Sequence, residues 1–216
     1  MTTAGPGPLA NRSSPASTAK GDNRRQNLLD VTEHILVTRG NAELSLRAVA
    51  TAAGVRLGHL QHYFPTRGEL IHAVLNRVLE RSLRQVADLM GPQDAIGVRS
   101  HEPVQLIQVL LTQQQDDRLV RLFTEVWALA AHDASAAGAV RAFYRDYVGH
   151  VAAFVQQRDP VLTPQVCQAR AETFVMLIEG AALFRSGIAS SVSAGTDAEL
   201  LTTAAALLGS GPPGSE

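Results

Sequence analysis

The chain of 216 residues contains a single cysteine, Cys167, and only 5% of its residues are aromatic. One cysteine cannot form an internal disulfide, so we expect a reducing, cytoplasmic location. No apolar run approaches the roughly 20 residues that a membrane-spanning helix needs. Residues 1–22 lack the apolar segment of a secretory signal, and their Gly, Pro, Ser, Thr and Ala content predicts a disordered tail. A second disordered tail is predicted over residues 209–216.

The short motifs of common catalytic and cofactor sites are also missing. The sequence contains no glycine-rich phosphate loop, no Cys-x-x-Cys, no His-Glu-x-x-His and no Gly-x-Ser-x-Gly. His59 and His62 have the spacing of a metal-ligand pair, but no third ligand lies nearby in the sequence. We therefore predict no catalytic residues, no cofactor and no metal site, and an all-α enzyme is only a remote alternative.

The apolar residues that are present follow helical spacing. They make up 45% of the chain, Ala and Leu are abundant, and no alternating run of β-branched residues predicts a strand. We expect an all-α fold with a first domain over 23–68 and a second over 69–208. Caps are predicted at Thr66 with Glu69, at Thr163 before Pro164, and at Thr196 with Glu199.

Residues 45–67, SLRAVATAAGVRLGHLQHYFPTR, predict a helix-turn-helix. Gly54 can adopt the positive φ that ends one short helix and redirects the chain into the next, and Ala50 is small enough for the two helices to cross closely. The predicted apolar underside comprises Val49, Ala53, Val55, Leu60 and Tyr63. The residues left on the outer face are Arg56, Leu57, His59, Gln61 and His62. Such a face fits the major groove of DNA, although an ordinary helical hairpin is the alternative.

The net charge of −1 is unevenly distributed. Residues 1–90 contain 11 Lys and Arg against 7 Asp and Glu, and residues 91–216 contain 8 against 13. A basic N-terminal part on an acidic body would direct phosphate contacts to one end of the molecule.

Residues 24–80 resemble the DNA-binding domain of the TetR family of bacterial transcriptional regulators. The resemblance rests on LRAVATAAGV, on G-x-L-x-x-Y-F-P-T-R from Gly58 to Arg67, and on Glu69-Leu70 at the start of the next helix. The match over residues 24–80 covers about a quarter of the chain, and the remainder is similar only in its series of helices. The family often has a small hydroxyl residue in place of Arg56 and His59, and often Tyr in place of Gln61, so the operator sequence does not carry over.

The resemblance implies a homodimeric repressor that binds a palindromic operator and is released by a small-molecule effector. A DNA-binding regulator without small-molecule control is the alternative. Arg56 could bond bidentately to a guanine, whereas Ser45, Arg47, Tyr63, Thr66 and Arg67 match positions that usually hold phosphates. The full set of expected DNA contacts is Ser45, Arg47, Arg56, Leu57, Gly58, His59, Gln61, His62, Tyr63, Thr66 and Arg67.

The segment from Pro164 to about Ile188 is apolar on almost all sides, which predicts a core on one side and a partner on the other. A central helix of a monomer would have the same composition. The family resemblance implies that the last two long helices of two copies form a four-helix bundle. The expected interface residues are Leu177, Ala181, Phe184, Ile188, Leu200, Ala204, Leu207 and Leu208.

The same resemblance implies an effector pocket in the second domain. The candidate lining residues are Phe123, Glu125, Trp127, Tyr144, Tyr147, Phe174, Met176 and Glu179. For any single aromatic residue in this set, plain core packing is the more common role. Glu179 interrupts an apolar run, and a buried carboxylate needs a partner. We expect that partner to be an arginine (Arg141, Arg145, Arg170 or Arg185), with a cationic ligand as the alternative.

Overall fold

A computed structural model of the chain describes residues 15–90, 103–113, 115–189 and 193–209, and within these ranges all regular structure is helical. This confirms the all-α prediction. The helices are α1 (Pro15–Arg39), α2 (Leu46–Ala52), α3 (Leu57–Tyr63), α4 (Arg67–Met90), α5 (Pro103–Gln113), α6 (Asp117–Ala130), α7 (Ala134–Arg158), α8 (Pro164–Arg185) and α9 (Ala194–Leu207). A single 3-10 turn, Asn41–Glu43, links α1 to α2.

Several helix boundaries follow the local signals in the sequence. Gly40, with a φ of 81°, ends α1, and the hydroxyl of Thr66 accepts a hydrogen bond from the Glu69 N–H at 3.1 Å. The Thr163 hydroxyl caps α8 in the same way, at 3.4 Å from the Val166 nitrogen. Short polar side chains at these positions satisfy backbone N–H groups that have no partner inside the helix.

Three predicted boundaries differ from the structure. Helix α1 begins at Pro15, so residues 15–22 are helical and not part of a tail; the rest of the predicted tails, 1–14 and 210–216, lies outside the described residues. Ser193 caps α9, and Thr196 lies inside its first turn because the earlier hydroxyl already accepts the Thr196 N–H. Helix α8 stops at Arg185, and Gly187 with a φ of 77° follows it.

Two apolar clusters form the core and meet in α7. The first joins α1–α4 to α6 and the N-terminal half of α7, and it includes Leu28, Val49 and Leu60. The second joins α5, α8 and α9 to the C-terminal half of α7, and it includes Ile107 and Phe174. Tyr144 and Tyr147 pack against both clusters. The first domain therefore shares its core with the body and does not hang from a linker.

Within the described ranges, no helix combines the length and the apolar character needed to cross a lipid bilayer.

Candidate DNA-binding face and ligand cavity

Helices α2 and α3 form the predicted helix-turn-helix. Gly54 has a φ of 67°, and a Cβ at this position would meet no atom within 4 Å, so backbone conformation and not space requires glycine here. Ser45 caps α2 by accepting the Ala48 N–H at 3.1 Å. The underside is apolar as predicted: Val49 and Leu60 are fully buried, and Ala53, Val55 and Tyr63 pack against the same cluster.

The outer face of this unit is open to solvent. Arg56 occupies the N-cap position of α3, and its side chain makes no capping hydrogen bond. Gly58 leaves free space around its Cα. The exposed members of the predicted DNA-contact set are Ser45, Arg47, Arg56, Gly58, His59, Gln61, His62 and Thr66, while Leu57 and Tyr63 are half-buried. A short helix with a buried underside and a free basic outer face has the form of a recognition helix.

Tyr63 links this face to the helices beneath it. Its ring meets the His59 ring edge-on at 5.4 Å between centroids and the His62 ring at 5.5 Å. It also packs against the first apolar cluster. Both imidazoles therefore contact one half-buried ring while remaining exposed to solvent.

The guanidinium of Arg67 is bonded to other groups of the protein. Its guanidinium forms an ion pair with Asp133, the N-cap residue of α7, and donates to the Leu44 carbonyl at 3.2 Å. These bonds hold the pKa of Asp133 below its usual value. The expected phosphate contact from Arg67 is therefore wrong for this conformation, because the guanidinium is already engaged between the two domains.

Glu125 is the second predicted site residue that lies at the domain junction. Its Oε2 accepts hydrogen bonds from the backbone N–H and the side-chain amide of Asn41, both at 2.7 Å. It does not line the cavity described below, so its assignment to the effector pocket is wrong. The periodicity of α6 placed Glu125 beside apolar residues, but the sequence contains no signal for a partner 84 residues away.

A cavity of about 430 Å³ lies between α4, α5, α6, α7 and α8. Five predicted pocket residues line it: Phe123, Trp127, Tyr147, Phe174 and Glu179. Tyr144 does not line the cavity directly, but its hydroxyl accepts from Trp127 Nε1 at 3.0 Å and donates to Glu179 Oε2 at 3.1 Å. The pattern of the aromatic residues could not reveal which of them face a cavity and which fill the core.

The side chain of Met176 points away from the cavity. It is 71% exposed and lies in a shallow groove on the opposite side of α8, so its assignment to the pocket is wrong. Glu179, three residues later, lines the cavity: three residues of an α-helix leave two side chains about 60° apart around the axis, and the edge of the cavity falls between them.

Glu179 forms no ion pair with an arginine of the described ranges; its hydrogen bond is with the Tyr144 hydroxyl. Arg185 forms its ion pair with Asp197 of α9, and Arg141 and Arg145 are exposed on α7. Burial raises the pKa of Glu179 to about 7, with the Tyr144 hydrogen bond opposing part of that shift. Burial and the nearby carboxylate also raise the pKa values of Tyr144 and Tyr147, which keeps both phenols neutral. The expected internal pair with arginine is therefore wrong.

The predicted dimer residues divide into two groups. Phe184 and Ile188 are 47% and 57% exposed, and Leu177, Ala181 and Leu207 are half-buried. Ala204 and Leu208 are buried at 0% and 3%, and Leu200 at 9%, within the second apolar cluster. Ala204 and Leu208 are therefore core residues of one copy and not surface residues. Leu200 still borders the groove beside Phe184.

Among the described residues, no group of three or more His, Cys, Asp and Glu side chains could hold a metal ion.

Comparison with known proteins agrees with this arrangement. Residues 28–74 match the family model described as bacterial regulatory proteins, tetR family. A transcriptional regulator from Xanthobacter autotrophicus is 30% identical over 134 residues, covering 61% of this chain and 65% of that protein. The transcriptional repressor KstR of Rhodococcus jostii is 34% identical over 119 residues, covering 54% of this chain and 52% of the repressor. The aligned segments thus span less than two thirds of these relatives.

The fold extends the likeness beyond the matched segment. A solved TetR-family structure from Streptomyces coelicolor superimposes with a TM-score of 0.63 at 24% identity, covering 84% of this chain and 97% of that one. Residues 28–74, which contain the helix-turn-helix of α2 and α3, therefore match the TetR family of bacterial transcriptional regulators, and the helical body has the fold of a solved member of that family.

Proposed function

We propose that two copies of this chain form a repressor that binds a palindromic operator, and that a small molecule in the cavity releases it. The observation that carries this proposal is the position of the cavity. Its wall includes Val78, Ser82 and Leu83 of α4, the helix that begins directly after the recognition unit. A ligand that displaces α4 would therefore move α2 and α3 with it.

The junction between the domains supports the transmission of that movement. Gly68 of α4 is buried against Ser135 of α7, and a Cβ at Gly68 would lie 1.9 Å from the Ser135 hydroxyl oxygen. The Arg67–Asp133 ion pair lies next to this contact. Close backbone packing leaves little freedom for α4 to shift independently of α7. A ligand that contacts α7 in the cavity would therefore also affect the position of the DNA-binding face.

The outer face of α8 supports the dimer. Met176, Leu183 and Phe184 in the C-terminal half of α8, and Ile188 just after its end, are exposed large apolar residues, which is unusual for a surface that stays in water. Gly180 lies among them, and a Cβ there would meet nothing within 4 Å in one copy. A second copy packing α8 against α8 would cover this surface and bring two recognition helices to one side of a duplex.

Repression is favoured over activation because the Rhodococcus relative is itself a repressor. The proposed site of action is the cytoplasm. The cavity favours small-molecule control over the alternative of a regulator without it, because its volume of about 430 Å³ is within the range of drug-sized ligand sites.

The proposal is tested by selecting bound duplexes from a random library at physiological salt, with excess non-specific competitor. We expect enrichment of a palindrome with two similar half-sites. The affinity for the recovered site should fall steeply as salt rises, because each phosphate contact releases counterions. Recovery of no common sequence by a folded sample would contradict the proposed operator binding.

A further inference from the structure

We infer that the cavity is built for a hydrophobic organic cation, bound by the carboxylate of Glu179 and the surrounding aromatic rings. This inference rests on the proposed function, since it names the class of ligand for the same cavity. It is argued from the charges, hydrogen bonds and rings of the cavity wall.

The charge of the wall is of one sign. Among the described residues that line the cavity, Glu179 is the only acidic side chain, and none is a lysine or an arginine. The arginine nearest along α8, Arg185, is paired with Asp197. An ionised carboxylate in an apolar environment is costly unless a cation or several donors satisfy it. A bound cation would supply the charge that the protein does not.

The carboxylate of Glu179 is the acceptor at the end of two hydrogen bonds in series. Trp127 Nε1 donates to the Tyr144 oxygen, and the Tyr144 hydroxyl donates to Glu179 Oε2. The two aromatic donors are therefore used within the protein and are not offered to a ligand. What Glu179 itself offers a ligand is the acceptor capacity of its carboxylate, which recognises a cationic or donor group and does not favour an anion.

The rest of the wall suits the apolar body of such a cation. Phe123 and Trp127 lie 5.9 Å apart between ring centroids, and Phe143 lies 5.5 Å from Phe123. Aromatic faces attract cations as well as alkyl groups, most strongly where water is excluded. The volume of about 430 Å³ lies within the range of sites for drug-sized molecules.

The chain contains its own reporter for this cavity. Trp127 is the only tryptophan, so its fluorescence reports directly on occupancy of the wall. The probes are two shape-matched pairs, each with a charged and a neutral member: 1-adamantylammonium with 1-adamantanol, and benzyltrimethylammonium with neopentylbenzene. Adamantanol keeps a hydrogen-bond donor without charge, so the first pair separates attraction to charge from simple hydrogen bonding.

We expect each cation to change Trp127 fluorescence saturably and to bind at least tenfold more tightly than its neutral partner. Glu179→Gln should remove that preference while leaving binding of the neutral probes within about twofold. The matched control is Glu172→Gln, an exposed glutamate on the outer side of α8, which should behave as the wild type.

The preference should also depend on pH. Since protonation removes the charge of Glu179, affinity for a cation should fall as pH drops below about 7, by up to tenfold per unit. Tyr144 and Tyr147 stay neutral in this range. His150 also lines the cavity, so the pH series is repeated with His150→Gln as a control for the contribution of Glu179.

Equal binding of both members of each pair, tighter binding of the neutral members, or no binding of either cation would overturn the inference. So would an unchanged preference in Glu179→Gln. These titrations contain no DNA, so their failure leaves the proposed operator binding intact. Conversely, failure of the duplex selection would leave a measured cation preference in place.

Discussion

The carboxylate of Glu125 accepts two hydrogen bonds from Asn41, one from its backbone N–H and one from its side-chain amide, each at 2.7 Å. Asn41 begins the turn that leads from α1 into the helix-turn-helix, and Glu125 lies near the middle of α6. Trp127, two residues further along α6, lines the cavity. One helix therefore contacts the ligand site and also bonds to the first domain.

Replacing Glu125 with alanine should destabilise the fold through this junction. Hydrogen bonds to a charged group contribute about 1.5–3 kcal/mol, and this pair is only partly buried, so we expect a loss of about 1–3 kcal/mol in the free energy of unfolding. The measurement is urea unfolding at fixed protein concentration. Glu172→Ala, on the exposed side of α8, is the control and should stay within about 0.5 kcal/mol of the wild type.

The Arg67–Asp133 ion pair predicts a pH dependence of stability. The Arg67 hydrogen bond, and then the Ala136 backbone N–H, lower the pKa of Asp133 in the folded state. This contribution is therefore present above the unfolded pKa of about 4 and is lost as pH falls through the folded value.

Asp133→Asn tests this dependence because asparagine can still cap α7 by accepting the Ala136 N–H. We expect the variant to have a lower Tm than the wild type at pH 7 and the difference to shrink progressively as pH is lowered below the unfolded pKa of about 4. A constant difference across that range would show that the ionised pair is not its cause.

Arg56 and Arg47 should have separable effects on DNA binding. Arg56 is free at the start of the recognition helix, so Arg56→Ala should cost about 1–3 kcal/mol on the selected site and relax preference at one base position. Arg47→Ala, at the start of α2, should weaken binding to all DNA sequences alike. It should also reduce the slope of log affinity against log salt concentration by about one. Competition binding to the selected site and to single-base variants distinguishes the two. Uniform losses from both variants would contradict this division.

The exposed apolar face of α8 predicts how dimerisation can be disrupted. Phe184→Glu places a charge on that face, and we expect the protein to sediment as a folded monomer. Val161→Glu is the matched control, because Val161 is 92% exposed in the turn before α8 and lies away from the groove. Unchanged dimerisation of Phe184→Glu would place the interface elsewhere.

The local features of the fold could be predicted because each depends on residues close together in sequence. Gly54 predicts the turn between α2 and α3 because glycine readily adopts a positive φ, and Thr163 with Pro164 predicts the start of α8. The start of α1 was not predictable in the same way, because the composition of residues 15–22 favours a tail while the structure continues the helix through them.

The errors at Arg67, Glu125 and Glu179 all depend on contacts with residues far away in the sequence. Arg67 meets Asp133 and Glu125 meets Asn41 across the domain junction, and sequence spacing carries no information about either pair. Glu179 was recognised from a single charge in an apolar run, but its partner is the Tyr144 hydroxyl and not an arginine. Met176 and Glu179 lie three residues apart, yet one faces outward and the other inward.

The most direct test of the account is equilibrium binding of the wild type to the selected palindrome when the spacing between its half-sites is changed. A twofold dimer holds its recognition helices on one side of the duplex. Inserting five base pairs, about half a helical turn, should therefore reduce affinity to that of a single half-site. The complex on the original palindrome should contain an even number of copies by sedimentation. Affinity that is unchanged by the insertion, or a complex with a single copy, would contradict the central claim.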